Sequence, residues 1–400
     1  MLIGVALVAV NALVLWSCCR SWDRYGHPGF GGYRLDLDVY RIGSTAWRHG
    51  SSLYGPLPAT ARGFDLPFTY PPAAAILFAP LSLAPFAVAS LSITVATVVG
   101  LAVVLALAVR SLGLSIDWML LGALFPLALV TEPVRQTLGY GQVNVLLMVL
   151  VAVDCLTTTR WPRGVLVGLA AAVKLTPAAF ILFFLIRGDR WSALRSIGGF
   201  AVPTVLAFAV DPHDSVLYWT KLVGDSGRIG PVGYAGNQSL LAVLARFEVP
   251  PAASNLVWGL LVVATLVTAA IGMRRASRNG ELVLALGLNA VAELLCSPIS
   301  WSHHWVWVVP LFVGLGGLGW RTRRWLAIVL TLAGLLLVWL GPQWWFTFAG
   351  GRELTWSLWQ KFVGSAYVYY GIAVLLSAAI MRYRAPTVVR GSACLSSSLS

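Results

Sequence analysis

The sequence predicts an all-α polytopic membrane protein of about 12 membrane segments. Of its 400 residues, 58% are hydrophobic and 11% charged, against roughly 25% charged in an ordinary soluble domain. Apolar runs close to the about 20 residues that a bilayer crossing takes recur along most of the chain. Arginines gather in the short connections between those runs, as the positive-inside rule expects of cytoplasmic loops. The formal charge of +13 therefore reads as topology and not as a nucleic-acid surface, since no soluble module carries a basic stripe. A soluble enzyme is excluded.

Taken in order, residues 1–19 form an apolar run without a basic leader or a small-residue cleavage site, and read as a retained first span. Further apolar runs follow at about 84–109, 114–131, 142–158, 194–210, 252–273, 281–297, 305–319, 325–341 and 363–381. Between Gly164 and Ile186 two short apolar stretches flank Lys174-Leu175-Thr176-Pro177. Each is too short to span alone, so they read as a broken helix pair, a discontinuity tolerated where it lines a cavity. Residues 1–385 form one transmembrane domain, and the serine-rich stretch 386–400 reads as a disordered cytoplasmic tail. Cys18 and Cys19 are adjacent, and Cys155, Cys296 and Cys394 lie far apart in sequence, so no disulfide framework is implied.

The connections holding Arg110, Arg160/Arg163, Arg187/Arg190/Arg195, Arg274/Arg275/Arg278, Arg321/Arg323/Arg324 and Arg382/Arg384/Arg390 carry 15 of the 28 basic residues. Those are cytoplasmic by the same rule, and counting the broken pair as two puts both termini inside. Segments 20–71, 132–141, 211–238, 298–304 and 342–362 then face outward, with most of the carboxylates and all five histidines. Any chemistry faces outward with them.

In the long outer loop, 20–71, the spacing Leu37, Tyr40, Ser44, Trp47 has a helical period and Gly50 offers a stop. An interfacial helix fits. Asp36 and Asp38 stand at its start, where one of them would serve as N-cap or as a general base taking a proton from a hydroxyl. Metal ligation ranks lower, because the two side chains diverge by about 200° on a helix. Lys174 is an ammonium in an apolar region, costly unless paired, wet or snorkelling to the interface. An anion is its natural partner, and the helix start at Thr176-Pro177 beside it suits a phosphate. His303 and His304 join two spans and serve either to pack and cap among tryptophans or to hydrogen-bond an anion. Glu132, Arg135, Gln142 and Asn144 bring polar groups to the outer ends of two adjacent spans. Asn237 and Gln238 are equally suited to capping and to binding sugar hydroxyls. No P-loop, dinucleotide fingerprint or Gly-x-Ser-x-Gly elbow occurs, so a nucleotide-activated donor has no binding element, whereas a lipid-carried donor needs none.

Together, Asp36-Leu37-Asp38-Val39-Tyr40, Gly50 with Leu53-Tyr54, Phe68-Thr69-Tyr70-Pro71-Pro72, Gly141-Gln142-Val143-Asn144, Lys174-Leu175-Thr176-Pro177, Gly236-Asn237-Gln238-Ser239 and Ser300-Trp301-Ser302-His303-His304 resemble glycosyltransferase family 87 of the GT-C superfamily. That family comprises polyprenol-phosphate-mannose-dependent α-(1→2)-mannosyltransferases of mycobacterial type. The resemblance runs in order over residues 36–305. It implies a GT-C-like bundle and transfer of mannose from polyprenyl-phosphate mannose to a glycolipid or lipoglycan acceptor at the outer face of the plasma membrane, with no cofactor or metal. It implies Asp36 as the base, with Asp38 in a variable place of the motif. The donor phosphate would fall to Lys174, His303, His304 and Arg135, and the sugar or acceptor to Tyr70, Gln142, Asn144, Asn237 and Gln238. A lipid or sugar transporter, which would also use a buried lysine and a broken helix, is the alternative, and an envelope scaffold a third.

Overall fold

The computed structural model describes residues 9–14, 32–157, 162–381 and 383. His27, Arg160, the double cysteine and the tail 386–400 lie outside them, as does most of the first apolar run. The described residues form helices, and the single β-bridge among them joins Asn237 to Trp301. Among the described residues four helices are long and apolar enough to cross a membrane, or five if one bent pair counts as a span.

From Leu35 on, the helices in chain order are α1 (Leu35–Arg48), α2 (Pro72–Leu83), α3 (Phe86–Ser111), α4 (Trp118–Leu129), α5 (Glu132–Tyr140), α6 (Asn144–Leu156) and α7 (Val165–Val173). A 3-10 turn over Thr176–Phe180 leads into α8 (Ile181–Ile186), then α9 (Arg190–Val210), α10 (Pro212–Leu217), α11 (Leu240–Arg246), α12 (Pro251–Arg278) and α13 (Leu282–Cys296). A second 3-10 turn, Ser302–Trp307, opens α14 (Val308–Thr322), and α15 (Trp325–Leu340), α16 (Leu358–Val363) and α17 (Ala366–Ile380) follow. The core runs through α3, α6, α13 and α14. Around it α9 lies along α7, α12 packs on α13 and α17, and α1 on α2. On α9 and α12 the outward face is apolar, with Val202, Val205, Leu206, Leu256, Leu260 and Val263 exposed. Such a surface is stable against lipid, where helices satisfy their own backbone groups.

Three local expectations change. Neither Asp36 nor Asp38 is the N-cap of α1: the capping position is Arg34, in extended conformation, and both aspartates sit in the first turn, where carboxylates favour the helix dipole. The buried face is the one the spacing named, with Leu37, Tyr40 and Ser44 all buried. The apolar run at 114–131 is not followed by a plain outer connection. α4 and α5 meet at a 74° bend, because Thr131 is extended and Pro133 has no N–H to continue the helix. The stretch 72–83, left unassigned between the outer loop and the second apolar run, is helix α2.

The first loop is clamped from the segment after α9. Asp214 accepts hydrogen bonds from Ser52 Oγ at 2.7 Å and from the Leu53 amide at 2.6 Å, and Arg228 donates to the Phe68 carbonyl at 2.7 Å. A second knot is the buried Glu132, which accepts from Ser302 Oγ (2.7 Å), Trp344 Nε1 (2.7 Å) and Tyr367 OH (3.0 Å). It ties α5 to three later segments. Glu132→Ala would strand the buried Ser302 and Tyr367 hydroxyls and the part-buried Trp344 indole, each costing about 1–3 kcal/mol when shut off from water. The expected outcome is a loss of about 3 kcal/mol or more, read as a large drop in thermal midpoint of the detergent-solubilised protein. An unchanged midpoint would mean the knot is dispensable.

Candidate active site

The site is assembled at the start of α6. α5 ends on Gly141 in a left-handed conformation (φ 70°). A Cβ there would come within 2.9 Å of the Arg34 Cβ and 3.1 Å of the Leu37 Cβ. Glycine thus serves twice, for the positive φ and for close approach of this turn to α1. That approach lets Gln142 Nε2 donate to Asp36 Oδ2 at 2.6 Å. The carboxylate, which can only accept, fixes the amide in that sense, leaving Gln142 Oε1 to accept from Tyr40 OH at 2.8 Å. The Tyr40 and Tyr70 hydroxyls lie 3.1 Å apart, and Tyr70 OH also reaches Gln142 Oε1 at 3.4 Å. Burial pushes the Asp36 carboxyl up to about 6, while the Gln142 amide and the Lys174 charge pull the other way.

Asp38 lives differently. Its Oδ2 accepts from Tyr33 OH at 3.0 Å and from the Ala61 amide at 2.8 Å, pinning the loop to α1. The two carboxylates diverge, as their spacing on a helix requires.

Two residues beyond Gln142, Asn144 performs a parallel task. Its Oδ1 accepts from Lys174 Nζ at 2.9 Å and its Nδ2 donates to the His303 carbonyl at 2.9 Å. Lys174 ends α7 in extended conformation, so the break in the helix pair turns the ammonium toward α6. A second hydrogen of Nζ goes to His304 Nε2 at 2.9 Å, which puts the imidazole hydrogen on Nδ1. The ammonium lies 5.8 Å from the centroid of the Tyr70 ring. Its third N–H is left for a ligand. Lys174, Asn144, His304, Thr176, Glu293 and Trp307 line a cavity of about 20 Å³, room for one water or one phosphate oxygen. The turn after Lys174 is 3-10 over Thr176–Phe180, so the lysine, more than a helix end, is what faces this cavity.

The fold thus gathers Asp36, Tyr70, Gln142, Asn144, Lys174 and His304. His303 adjoins the group through its carbonyl and stacks edge-on to His304 and Tyr140. Arg135 is turned away, donating to the Trp339 carbonyl at 3.3 Å. Asn237 spends its amide on the Val232 and Pro298 carbonyls and on the Ser300 amide. Gln238 donates to the carbonyls of Ala235 and Gly364. Both are fully buried; Asn237 holds the 232–239 loop against the 298–302 segment and Gln238 ties it to Gly364. Sequence reasoning passed over Tyr40 as a site residue, and Glu293 altogether. Glu293 carries the signal that singled out Lys174, an ionisable group alone in an apolar helix.

The family model for glycosyltransferase family 87 matches residues 68–298. The polyprenol-phosphate-mannose-dependent alpha-(1-2)-phosphatidylinositol mannoside mannosyltransferase of Mycobacterium tuberculosis (strain ATCC 25618 / H37Rv) is 38% identical over 90% of this chain and 87% of its own length. Its namesake in Mycolicibacterium smegmatis is 39% identical over 86% and 83%. A phosphatidylinositol pentamannoside mannosyltransferase of the latter organism is 37% identical over 79% and 81%. Among solved structures, ArnT from Cupriavidus metallidurans bound to undecaprenyl phosphate aligns over 94% of this chain and 77% of that chain, at 14% identity and a TM-score of 0.43. With a matching family model over more than half its length and relatives aligned along most of it, this chain belongs to glycosyltransferase family 87.

Proposed function

We propose that the protein transfers mannose from polyprenyl-phosphate mannose to a phosphatidylinositol mannoside or lipomannan-type acceptor, with inversion, forming an α-(1→2) linkage. The observation that carries this reading is the shared turn at the start of α6, where Gln142 holds Asp36 and Asn144 holds Lys174. Two residues apart, their Cα atoms are at most about 7 Å from each other, a span on the scale of one sugar ring. A donor whose leaving group is already a phosphate needs a base for the attacking hydroxyl and a cation for the departing oxygens. Asp36 is the base, oriented by Gln142, which Tyr40 orients in turn. Lys174 grips the phosphate, itself steadied by Asn144 and His304. Tyr70 touches both halves, through its hydroxyl on the Tyr40 side and its ring on the Lys174 side, and lies where the sugar passes. Asp38, Arg135, Asn237 and Gln238 act as scaffold.

Incubation of the purified protein with polyprenyl-phosphate mannose and candidate acceptors, followed by product mass and linkage analysis, tests the reading. Absence of transfer, with net movement of an intact lipid or sugar across vesicles instead, would favour the transporter. We further propose a GT-C-like bundle of about 12 segments with the Asp36 loop outside and both termini in the cytoplasm, on the support of the arginine distribution. A cysteine introduced at Ser51, in the exposed turn after α1, is expected to react with an impermeant maleimide from the outer side of intact cells. Reaction only from the cytoplasmic side would reverse the topology.

A further inference from the structure

Glu293 lines the Lys174 cavity, but no role has yet been given to it. It is a lone carboxyl within α13, whose remaining positions from Leu282 to Cys296 are uncharged and mostly buried. Its carboxyl makes no hydrogen bond or ion pair with any described residue, unlike those of Glu132, Asp154 and Asp214, which each meet at least one donor. It lines two spaces at once. One is the small polar cavity it shares with Lys174, Asn144 and His304. The other is a groove of about 320 Å³ walled by Leu175, Ala179, Leu182, Leu266, Ala292 and Cys296. Thr176 and Glu293 belong to both linings, so Glu293 stands at the neck between an apolar groove and a cation. A polyprenyl phosphate with its chain in the groove and its phosphate on Lys174 passes this neck.

We propose that Glu293 is the acid of the reaction: it hydrogen-bonds the donor phosphate and gives its proton to that phosphate as the sugar departs. The inference rests on the reading of Lys174 as the phosphate grip. An ionised carboxylate without donors is costly in an apolar helix, and a bound phosphate would set a second anion against it. As a carboxylic acid, the same group presents an O–H donor to a phosphate oxygen.

The charges balance. The acceptor hydroxyl gives its proton to Asp36 while its oxygen bonds to the anomeric carbon. The bond from that carbon to the phosphate oxygen breaks, its electron pair stays on the phosphate, and the Glu293 proton moves to a phosphate oxygen. Before the step Asp36 and the phosphodiester each carry one negative charge. After it Glu293 and the phosphate monoester do, and Asp36 is neutral. Without this transfer a dianion would form beside a single ammonium in a poorly hydrated site. Proton exchange with water resets both carboxyls. The other titratable groups facing Glu293 are Lys174 from the helix break, His304 from the 302–307 turn and Cys296 on its own helix. Lys174 would lose its hold on the phosphate by giving up a proton, and His304 Nε2 is already an acceptor.

The test is Glu293→Gln in the full-length protein in nanodiscs, with donor binding and turnover measured separately. The amide keeps the size and a hydrogen-bond donor but has no proton to give. Turnover at saturating donor should fall about 10- to 100-fold, the low end for acid catalysis because phosphate is already a good leaving group. Donor affinity should stay within about threefold, and the alkaline decline of turnover should move to higher pH. Glu293→Asp, still an acid, should recover part of the rate. Wild-type turnover and an unshifted alkaline limb in Glu293→Gln would overturn the proposal, as would equal loss of affinity and rate with no recovery in Glu293→Asp, the mark of a structural group. Lys174→Ala in the same binding assay separates the two claims. If it binds donor normally, the phosphate grip has failed. If it loses donor while Glu293→Gln behaves as wild type, only the acid has failed.

Discussion

Asp36→Asn is expected to give a stable, membrane-inserted protein that binds donor and acceptor and transfers almost nothing. The asparagine keeps the size of the side chain and one acceptor oxygen for the Gln142 amide, now at 2.6 Å from the carboxylate, but has no basic oxygen. A positioned base contributes about 10²–10⁴-fold in rate, so turnover should fall by that factor with donor and acceptor affinities nearly unchanged. Asp38→Asn should behave otherwise. It disturbs the contacts to Tyr33 and Ala61, at a cost of about 1 kcal/mol in loop stability, and should retain most of the activity. A wild-type rate in Asp36→Asn with an inactive Asp38→Asn would move the base by two residues. Activity in both would place it elsewhere. The wild-type enzyme supplies a second check. With the Asp36 carboxyl pushed up to about 6 by burial, the base is ionised above that pH and protonated below it, so turnover should fall as pH drops through about 6. A flat profile down to pH 4.5 would remove Asp36 from the chemistry.

Lys174→Ala should weaken donor binding by roughly 10- to 100-fold, since a charge-assisted contact to phosphate is worth about 1.5–3 kcal/mol. The fold should survive, because the ammonium bonds only Asn144 and His304 side chains and both border a cavity that can admit water. Lys174→Arg is a useful companion. The planar guanidinium does not reproduce a compact ammonium held between an amide oxygen and an imidazole nitrogen, so it should recover only part of the affinity. Unchanged affinity for polyprenyl phosphate in Lys174→Ala, measured by direct binding, would make the lysine a structural strut.

Much of the site was legible one residue at a time. An ammonium in an apolar stretch at Lys174, a helix-period face at Leu37, Tyr40 and Ser44, and Gly141 before a polar pair are local patterns with local physical causes. The reading faltered where one residue type serves two ends. Asn237 and Gln238 read equally as sugar ligands and as caps, and their amides meet main-chain carbonyls. Arg135 reads as a phosphate ligand, yet it reaches a carbonyl of α15 and stands one helical turn from the buried carboxylate of Glu132. Glu293 was overlooked because a single acid in a long apolar helix has no neighbouring motif to draw attention to it.

What the sequence determined by itself is the membrane class, the helical architecture and membership of the family. Apolar length, the scarcity of charge and an ordered series of short motifs are properties of the chain read in one dimension. The tertiary structure decided which groups meet. Asp36 and Gln142 are 106 positions apart and Lys174 and His304 are 130 apart, and each pair is joined by one hydrogen bond. That choice was made by a left-handed glycine, a proline-enforced bend between α4 and α5, and a helix broken at a lysine. Hydrogen bonding demands partners within about 3 Å, a distance that sequence separation does not encode.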